Sequence, residues 1–193
     1  MKAMEQLGDT KSEILDRAAE LLQTRGYNGF SYRDISSPMG VKNAAIHYHY
    51  PSKGDLAMAL VDRYTDILRT ATRDFMKNGG SASKQLDNLF RFTLSECKCG
   101  RLVCPVGAFS VDFENLPETV KAAASRFHDA TMKWLTRVLE VGRQQGEVRF
   151  EGTSDGRALA LLSSLQGARQ IGRMMGMEAV TRIIEQERQA LGV

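Results

Sequence analysis

Phe30-Ser31-Tyr32-Arg33-Asp34-Ile35-Ser36-Ser37-Pro38-Met39-Gly40-Val41-Lys42-Asn43-Ala44-Ala45-Ile46-His47-Tyr48-His49-Tyr50-Pro51-Ser52-Lys53 is the stretch that decides how this chain folds. It reads as two short helices joined by a tight turn, with a third helix opening directly after. Ser31 can cap the first helix, and Asp34, three residues on, completes a capping box in which each residue satisfies an orphan backbone donor of the other. Gly40 stands where a helix ends in a left-handed residue, a conformation that costs glycine little. Val41, Ala45 and Ile46 give the next helix one apolar face, and Lys42, Asn43, His47 and Tyr48 crowd the other. A cation, an amide and two aromatic hydrogen-bonding groups on one outward face suit the major groove of DNA. Asn can pair with adenine through two hydrogen bonds, and Lys can reach guanine or phosphate. A helix pair of this kind also occurs in all-helical proteins with no DNA role, so the pattern alone leaves both uses open.

Upstream, Thr10 and Glu13 have capping-box spacing, which predicts a helix from there to Gly26 with Ile14, Ala18, Leu21 and Leu22 on its apolar stripe. That stripe packs on the helix pair and completes a three-helix unit. Downstream, Ser52 and Asp55 repeat the cap, and Leu56, Leu60, Tyr64, Ile67, Ala71 and Phe75 carry a helix on for about six turns. Its first turn brings the positive end of the helix dipole and Lys53 together, a place for a phosphate.

The remainder of the chain is helical as well. Asn78-Gly79-Gly80-Ser81 is a loop, and a helix follows from about Ser83 with Leu86, Leu89, Phe90 and Leu94 on one face. A short helix carries Val106, Phe109 and Phe113, and Leu116-Pro117-Glu118 opens a long helix through Phe127, Trp134 and Val141. After a loop over 146–153, two C-terminal helices form a hairpin. The first mixes apolar with small residues (Leu159, Ser163, Gly167, Ala168, Gly172), and the second carries Met177, Val180, Ile183, Ile184 and Leu191. Small residues let helices approach closely, so these two suit a four-helix interface with a second copy, or closure of the monomer's own core. The spacing predicts an all-α fold of about nine helices, divided into a DNA-binding head at 1–53 and a helical body at 54–193.

From Gly40-Val41 to Ile46, through the aromatic and histidine run 47–50, Pro51-Ser52-Lys53 and Leu56, the chain resembles the TetR (tetracycline-repressor) family. The resemblance covers about the first sixty residues; further on only the helix layout agrees. It implies a homodimeric one-component repressor, joined through its last two helices, that leaves a palindromic double-stranded operator when a small effector binds. Position by position it implies base-edge contacts by Lys42, Asn43 and Ala44, and contacts to phosphate and base edges by His47 and Tyr48. It further implies backbone contacts by Ser31, Tyr32 and Arg33 and a phosphate contact by Lys53, while Val41, Ile46 and Tyr50 fall at core positions. Three departures stand out. Pro38 removes a backbone donor near the end of the first short helix, Lys42 replaces a capping Ser or Thr, and His47 replaces a more usual tyrosine.

Composition is compatible with this and does not by itself predict it. The chain has 193 residues, 42% of them hydrophobic, and a net charge of +3. Its first 53 residues balance seven Lys/Arg against six Asp/Glu, so any basic surface must be made by folding. No apolar run approaches the roughly 20 residues needed to span a bilayer, and the first ten residues lack the apolar core of a signal peptide. With three cysteines in that setting, a reducing cytoplasm is expected.

All three cysteines, Cys97, Cys99 and Cys104, lie within eight positions beside Lys98 and Arg101. Neighbouring cations lower a thiol's pKa and raise its reactivity. Three uses stay open: structural thiols, a sensor of oxidants or electrophiles of the kind some members of the resembled family carry here, or a thiolate metal site completed by outside ligands. If the effector is instead a non-covalent organic molecule, Phe90, Phe109, Phe113, Phe127 and Trp134 are the candidates to line its pocket, alongside the cysteines. No cofactor and no resident metal are expected: His47 and His49 point to different helix faces.

The rival to a regulator is a small cytoplasmic helical enzyme, or a thiol-based redox protein, with no DNA role. Against it, the sequence shows no Cys-His-acid set and no Gly-rich phosphate loop. Histidine side chains change charge across the neutral range. Operator affinity is therefore expected to differ between mildly acidic and mildly alkaline buffer, and fluorescence anisotropy with wild type and His47→Phe measures whether His47 is the cause.

Overall fold

The computed structural model describes the backbone of residues 2–100, 103–104 and 106–193, and side chains from residue 10 onward. Among these residues it holds eight α-helices, two short 3₁₀ turns and no strand. The helices are α1 (Lys2–Arg25), α2 (Tyr32–Ser36), α3 (Asn43–His49), α4 (Lys53–Asn78), α5 (Ala82–Lys98), α6 (Glu118–Gln144), α7 (Ser154–Met175) and α8 (Met177–Leu191). They group into two compact units: residues 1–66 with 105–127, and residues 67–104 with 128–193. The division differs from a single cut at residue 53, because the first two turns and more of α4 and the segment 105–127 pack with the head.

In the first unit, Ile14, Ala18 and Leu22 of α1, Ile35 of α2, Ile46 of α3 and Leu56 and Leu60 of α4 are all buried. Removing each large aliphatic side chain from water is worth about 1.5–3 kcal/mol, more than these short helices could supply by propensity. Leu21 is only partly covered. The first helix begins at Lys2, upstream of the expected Thr10 cap, because residues 2–9 contain no proline and several good helix formers, so nothing stops the helix there. Ser31 and Asp34 do cap α2. The Asp34 carboxylate accepts the Ser31 N–H at 2.8 Å and its hydroxyl at 2.7 Å, and Arg25 adds a third donor at 3.0 Å. At α4 the Ser52 N–H and hydroxyl bond to Asp55 in the same way. Pro38 lies beyond the end of α2, where its missing donor breaks no helical bond. Gly40 has φ +67°, with its N–H on the Ser37 carbonyl and the Val41 N–H on that of Ser36.

The expected short helix over 106–113 is instead two 3₁₀ turns, Gly107–Ser110 and Phe113–Asn115. Gly107, Asp112 and Asn115 interrupt helix propagation there.

The second unit is built around Phe75, Leu86, Phe90, Leu135, Val138, Leu139, Leu161, Val180 and Ile184. Arg188 of α8 pairs with Asp87 of α5 and lies over the Phe90 ring, 4.9 Å from its centroid. Arg157 and Glu187 join α7 to α8 through a mostly covered ion pair. Glu147 accepts the Ser83 N–H at 2.8 Å and so helps cap α5 from a distant loop. Gly142 is required by close approach: a Cβ there would lie 2.7 Å from the Ala82 side chain and 2.9 Å from Val148.

The hydrogen bonds from Ser31, then those from Arg25, hold the Asp34 carboxyl down at about 2, against an ordinary 3.8. A depressed carboxyl contributes stability above its unfolded pKa and loses it as pH falls through the folded value. The melting-temperature gap between wild type and Asp34→Asn is therefore expected to be open near neutral pH and to close between about pH 4 and pH 2, as followed by circular dichroism.

Candidate nucleic-acid interface

The outward face of α3 is set by what lies behind it. Ile46 is completely buried, and the N-cap Lys42 opens the helix in an extended conformation without a side-chain cap bond. With Ile46 turned in, helical spacing turns Asn43, Ala44, His47 and Tyr48 out together, and all four are exposed, Tyr48 to 73%. The turn is braced across its width: the Ser36 hydroxyl donates to Asn43 Oδ1. This fixes the Asn43 amide, leaving its NH₂ group and the second lone pair of its carbonyl for an outside partner. His47 Nδ1 lies 3.2 Å from the Pro51 carbonyl, and the ring meets that of Tyr32 edge-on at 4.6 Å. Arg33 and Lys42 are exposed cations with no carboxylate within ion-pairing distance among the described residues, whereas Arg25 is paired with Asp34 and Arg63 with Asp16. Folding thus leaves uncompensated positive charge beside α3, although the head as a whole is nearly neutral.

Two of the expected contact residues are placed differently. Tyr32 is 8% exposed and its hydroxyl donates to the Tyr50 carbonyl at 2.8 Å. Burial, then the charge of Asp55, pushes its pKa up to about 12. The Lys53 ammonium is turned inward, donating to the Phe30 carbonyl and sitting 4.2 Å from the Phe30 ring centroid and 4.8 Å from that of Tyr27. Desolvation lowers its pKa, and Asp112 and Asp34 act against that. Ser31, Arg33, Lys42, Asn43, Ala44, His47 and Tyr48 remain open to solvent.

The segment following the cysteines docks on this same unit. Asp112 accepts the Asn28 N–H at 3.2 Å and its side-chain Nδ2 at 2.9 Å, and a Cβ on Gly26 would lie 2.9 Å from its carboxylate. Phe109, 1% exposed, packs beside Tyr27 at 6.1 Å between ring centroids. Asp112 and Asn28 are 84 residues apart, and no local pattern in the chain announces the pairing.

Phe109, Phe113 and Phe127 belong to the first unit; Phe90, Cys97, Cys99, Cys104 and Trp134 belong to the second. Phe90 is fully buried core, whereas Phe113 is 37% exposed beside Lys121. The three thiols are free: Cys97 buried, Cys99 exposed, Cys104 partly covered. Contrary to the expectation from neighbouring cations, burial pushes the Cys97 thiol up, opposed in part by the Arg169 guanidinium of α7.

A sequence model described as bacterial regulatory proteins, tetR family, matches residues 14–60, which span α1 to the first two turns of α4. A TetR-family transcriptional regulator from Agrobacterium tumefaciens superposes with a TM-score of 0.87 at 29% identity, covering 96% of this chain and 98% of that one. The chain is a TetR-family DNA-binding regulator. A TetR regulator from Legionella pneumophila agrees with it at a TM-score of 0.80 and 29% identity, over 93% of this chain and 95% of its own. Among curated relatives, the transcriptional repressor DhaR of Mycobacterium sp. (strain GP1) is 24% identical over 159 residues, 82% of this chain and 79% of that protein. The negative regulator IcaR of Staphylococcus epidermidis is 28% identical over 82 residues, 42% of each chain. The expected family, the all-α class and the helix-turn-helix head are thereby established for this TetR protein.

Caging of Lys53 gives a measurable consequence. Lys53→Met is expected to lower the melting temperature of the protein, because a cation–π contact with two rings and a hydrogen bond are lost, worth about 1–2 kcal/mol together. If Lys53 instead left its cage for a phosphate on binding, the salt dependence of DNA affinity would become shallower in the variant.

Proposed function

We propose that this TetR regulator is a repressor that binds a palindromic operator as a homodimer and is released by a small effector or by thiol modification. The carrying observation is the outward polar face of α3, with Ile46 behind it and Asn43 braced by Ser36. Asn43, Lys42 and Ala44 are the base-edge readers; His47 and Tyr48 extend the contact towards phosphate, and Ser31 and Arg33 hold the backbone from α2. Tyr32 and Lys53 act from behind, as packing that sets the angle of α3. Repression accords with the names of DhaR and IcaR.

A second copy is the partner assigned to α7 and α8. On α7, Leu159, Met174 and Met175 are exposed at 56%, 82% and 69%, and a Cβ on Gly167 would meet nothing within 4 Å. Exposed apolar side chains on a helix that also carries small residues are the makings of a two-fold helix interface. No described helix is long and apolar enough to cross a membrane, and a reducing cytoplasm suits three free thiols and a DNA target. The protein works by binding rather than by catalysis.

Asp112 offers the route from body to head. It lies eight positions after Cys104, and its carboxylate grips the α1–α2 turn through Asn28. A ligand or modification that repacks the region of α5 and the cysteines pulls on this grip. The ligand must favour the released state; a hundredfold preference supplies about 2.7 kcal/mol of coupling.

Fluorescence anisotropy against DNA flanking the protein's own coding region tests the reading. Asn43→Ala should lose about 1–3 kcal/mol of discrimination between operator and scrambled DNA, with a smaller loss in the same direction for Ser36→Ala. In light scattering, Leu159→Glu should shift the protein from dimer to monomer and weaken operator binding with it. Equal affinity of wild type for operator and scrambled duplex would sink the proposal.

A further inference from the structure

Ser36, the last residue of α2, is 3% exposed, and its hydroxyl meets the side-chain amide of Asn43, the first residue of α3. Asn43 itself is exposed. Which atom of its amide faces Ser36 decides what the other end offers to a base. A hydroxyl has one proton to donate. The other acceptor near it is the Arg33 carbonyl, 3.5 Å away and already accepting the Ser37 N–H at 3.0 Å. The proton therefore goes to Asn43, and the atom that receives it is the carbonyl Oδ1. The backbone of Ser36 is tied down as well, because its carbonyl accepts the Val41 N–H at 3.1 Å across the turn. The Asn43 carbonyl is thus turned towards α2. Its amino group, which leaves the trigonal Cγ in a different direction, is the end left to an outside partner.

We propose that Asn43 reads guanine rather than adenine, and that Ser36 is the positioning residue that sets this choice. The usual pairing of asparagine with adenine uses both ends of the amide, the oxygen on N6–H₂ and the amino group on N7. Turning the amide edge-on to adenine pulls Oδ1 away from Ser36 and leaves a buried hydroxyl without its acceptor, which is costly. With the oxygen held, an amino group facing adenine N6–H₂ sets donor against donor. Guanine instead presents two adjacent acceptors, N7 and O6, and no donor on its major-groove edge. Cytosine presents only a donor there, and thymine a single acceptor beside a methyl group. Lys42, the preceding residue, is also a donor with no accepting atom, so the two together suit an acceptor-rich base step. The inference rests on α3 being the helix that reads the operator, and it names the base for one of its side chains.

Selection of duplexes from a randomised pool by the full-length protein, followed by anisotropy on single-base variants, tests this. The position to watch is the one whose base preference vanishes in Asn43→Ala. Wild type is expected to select a G·C pair there. Replacing that guanine with 7-deazaguanine, which lacks the N7 acceptor, should weaken wild-type binding about three- to tenfold and leave Asn43→Ala unmoved. Ser36→Ala frees Oδ1 and should admit adenine, lowering the preference for guanine over adenine roughly tenfold at this position alone. A Ser36 that only supported the fold would weaken binding at every position alike. If Ser36→Ala fails to fold, the 7-deazaguanine comparison decides alone. An A·T pair in the wild-type selection, indifference to 7-deazaguanine, or an unchanged guanine-to-adenine ratio in folded Ser36→Ala would overturn the inference while leaving α3 as the reading helix. A pool from which wild type enriches no sequence, or an Asn43→Ala variant with every preference intact, would instead refute base reading by Asn43 itself.

Discussion

The burial of Ile46 is the constraint on which the DNA-binding surface depends. It is ordinary hydrophobic burial, shared in the same unit by Ile14, Ala18, Leu22 and Ile35 at 0–1% exposure. A seven-residue helix has no stability of its own in water. Pinned by Ile46, it has only one rotation about its axis, and that rotation turns Asn43, Ala44, His47 and Tyr48 to solvent. The polar brace from Ser36 to Asn43 and the Tyr32 hydroxyl on the Tyr50 carbonyl then remove the remaining freedom.

The head carries a further binding obligation. Asp112, Phe109 and the turns around them lie far along the chain yet pack on the α1–α2 corner. Lys53 sits within the field of the same carboxylate, with Tyr27 and Phe30 on either side of its ammonium. The residues that orient the DNA-reading helix and those that receive the chain from the region of the cysteines are therefore neighbours. A regulator needs such a junction, since a ligand acts on DNA affinity only through groups that touch both states differently.

The second unit shows the opposite economy. Its core is conventional, but the Trp134 indole Nε1–H lacks the acceptor that buried donors almost always find. Elsewhere in the unit, charges are matched with care: Arg188 with Asp87, Arg157 with Glu187, and Glu147 at the N-terminus of α5.

Much of this was legible in the chain itself wherever the controlling interactions are local. The Ser31–Asp34 and Ser52–Asp55 caps span three residues, Gly40 needs its positive φ within one turn, and the spacing of Val41, Ala45 and Ile46 assigns the inner face of α3. Helical periodicity alone therefore determined the all-α class and which side of α3 meets water. Tertiary structure decided what depends on distant partners. It turned Lys53 from an expected phosphate contact to a caged ammonium and buried Tyr32. It raised the Cys97 thiol and brought Asp112 to Asn28 across 84 residues. The reason is physical: a cap or a stripe is set by neighbours along the helix, whereas the charge and polarity around a side chain are set by whatever packs on it in space.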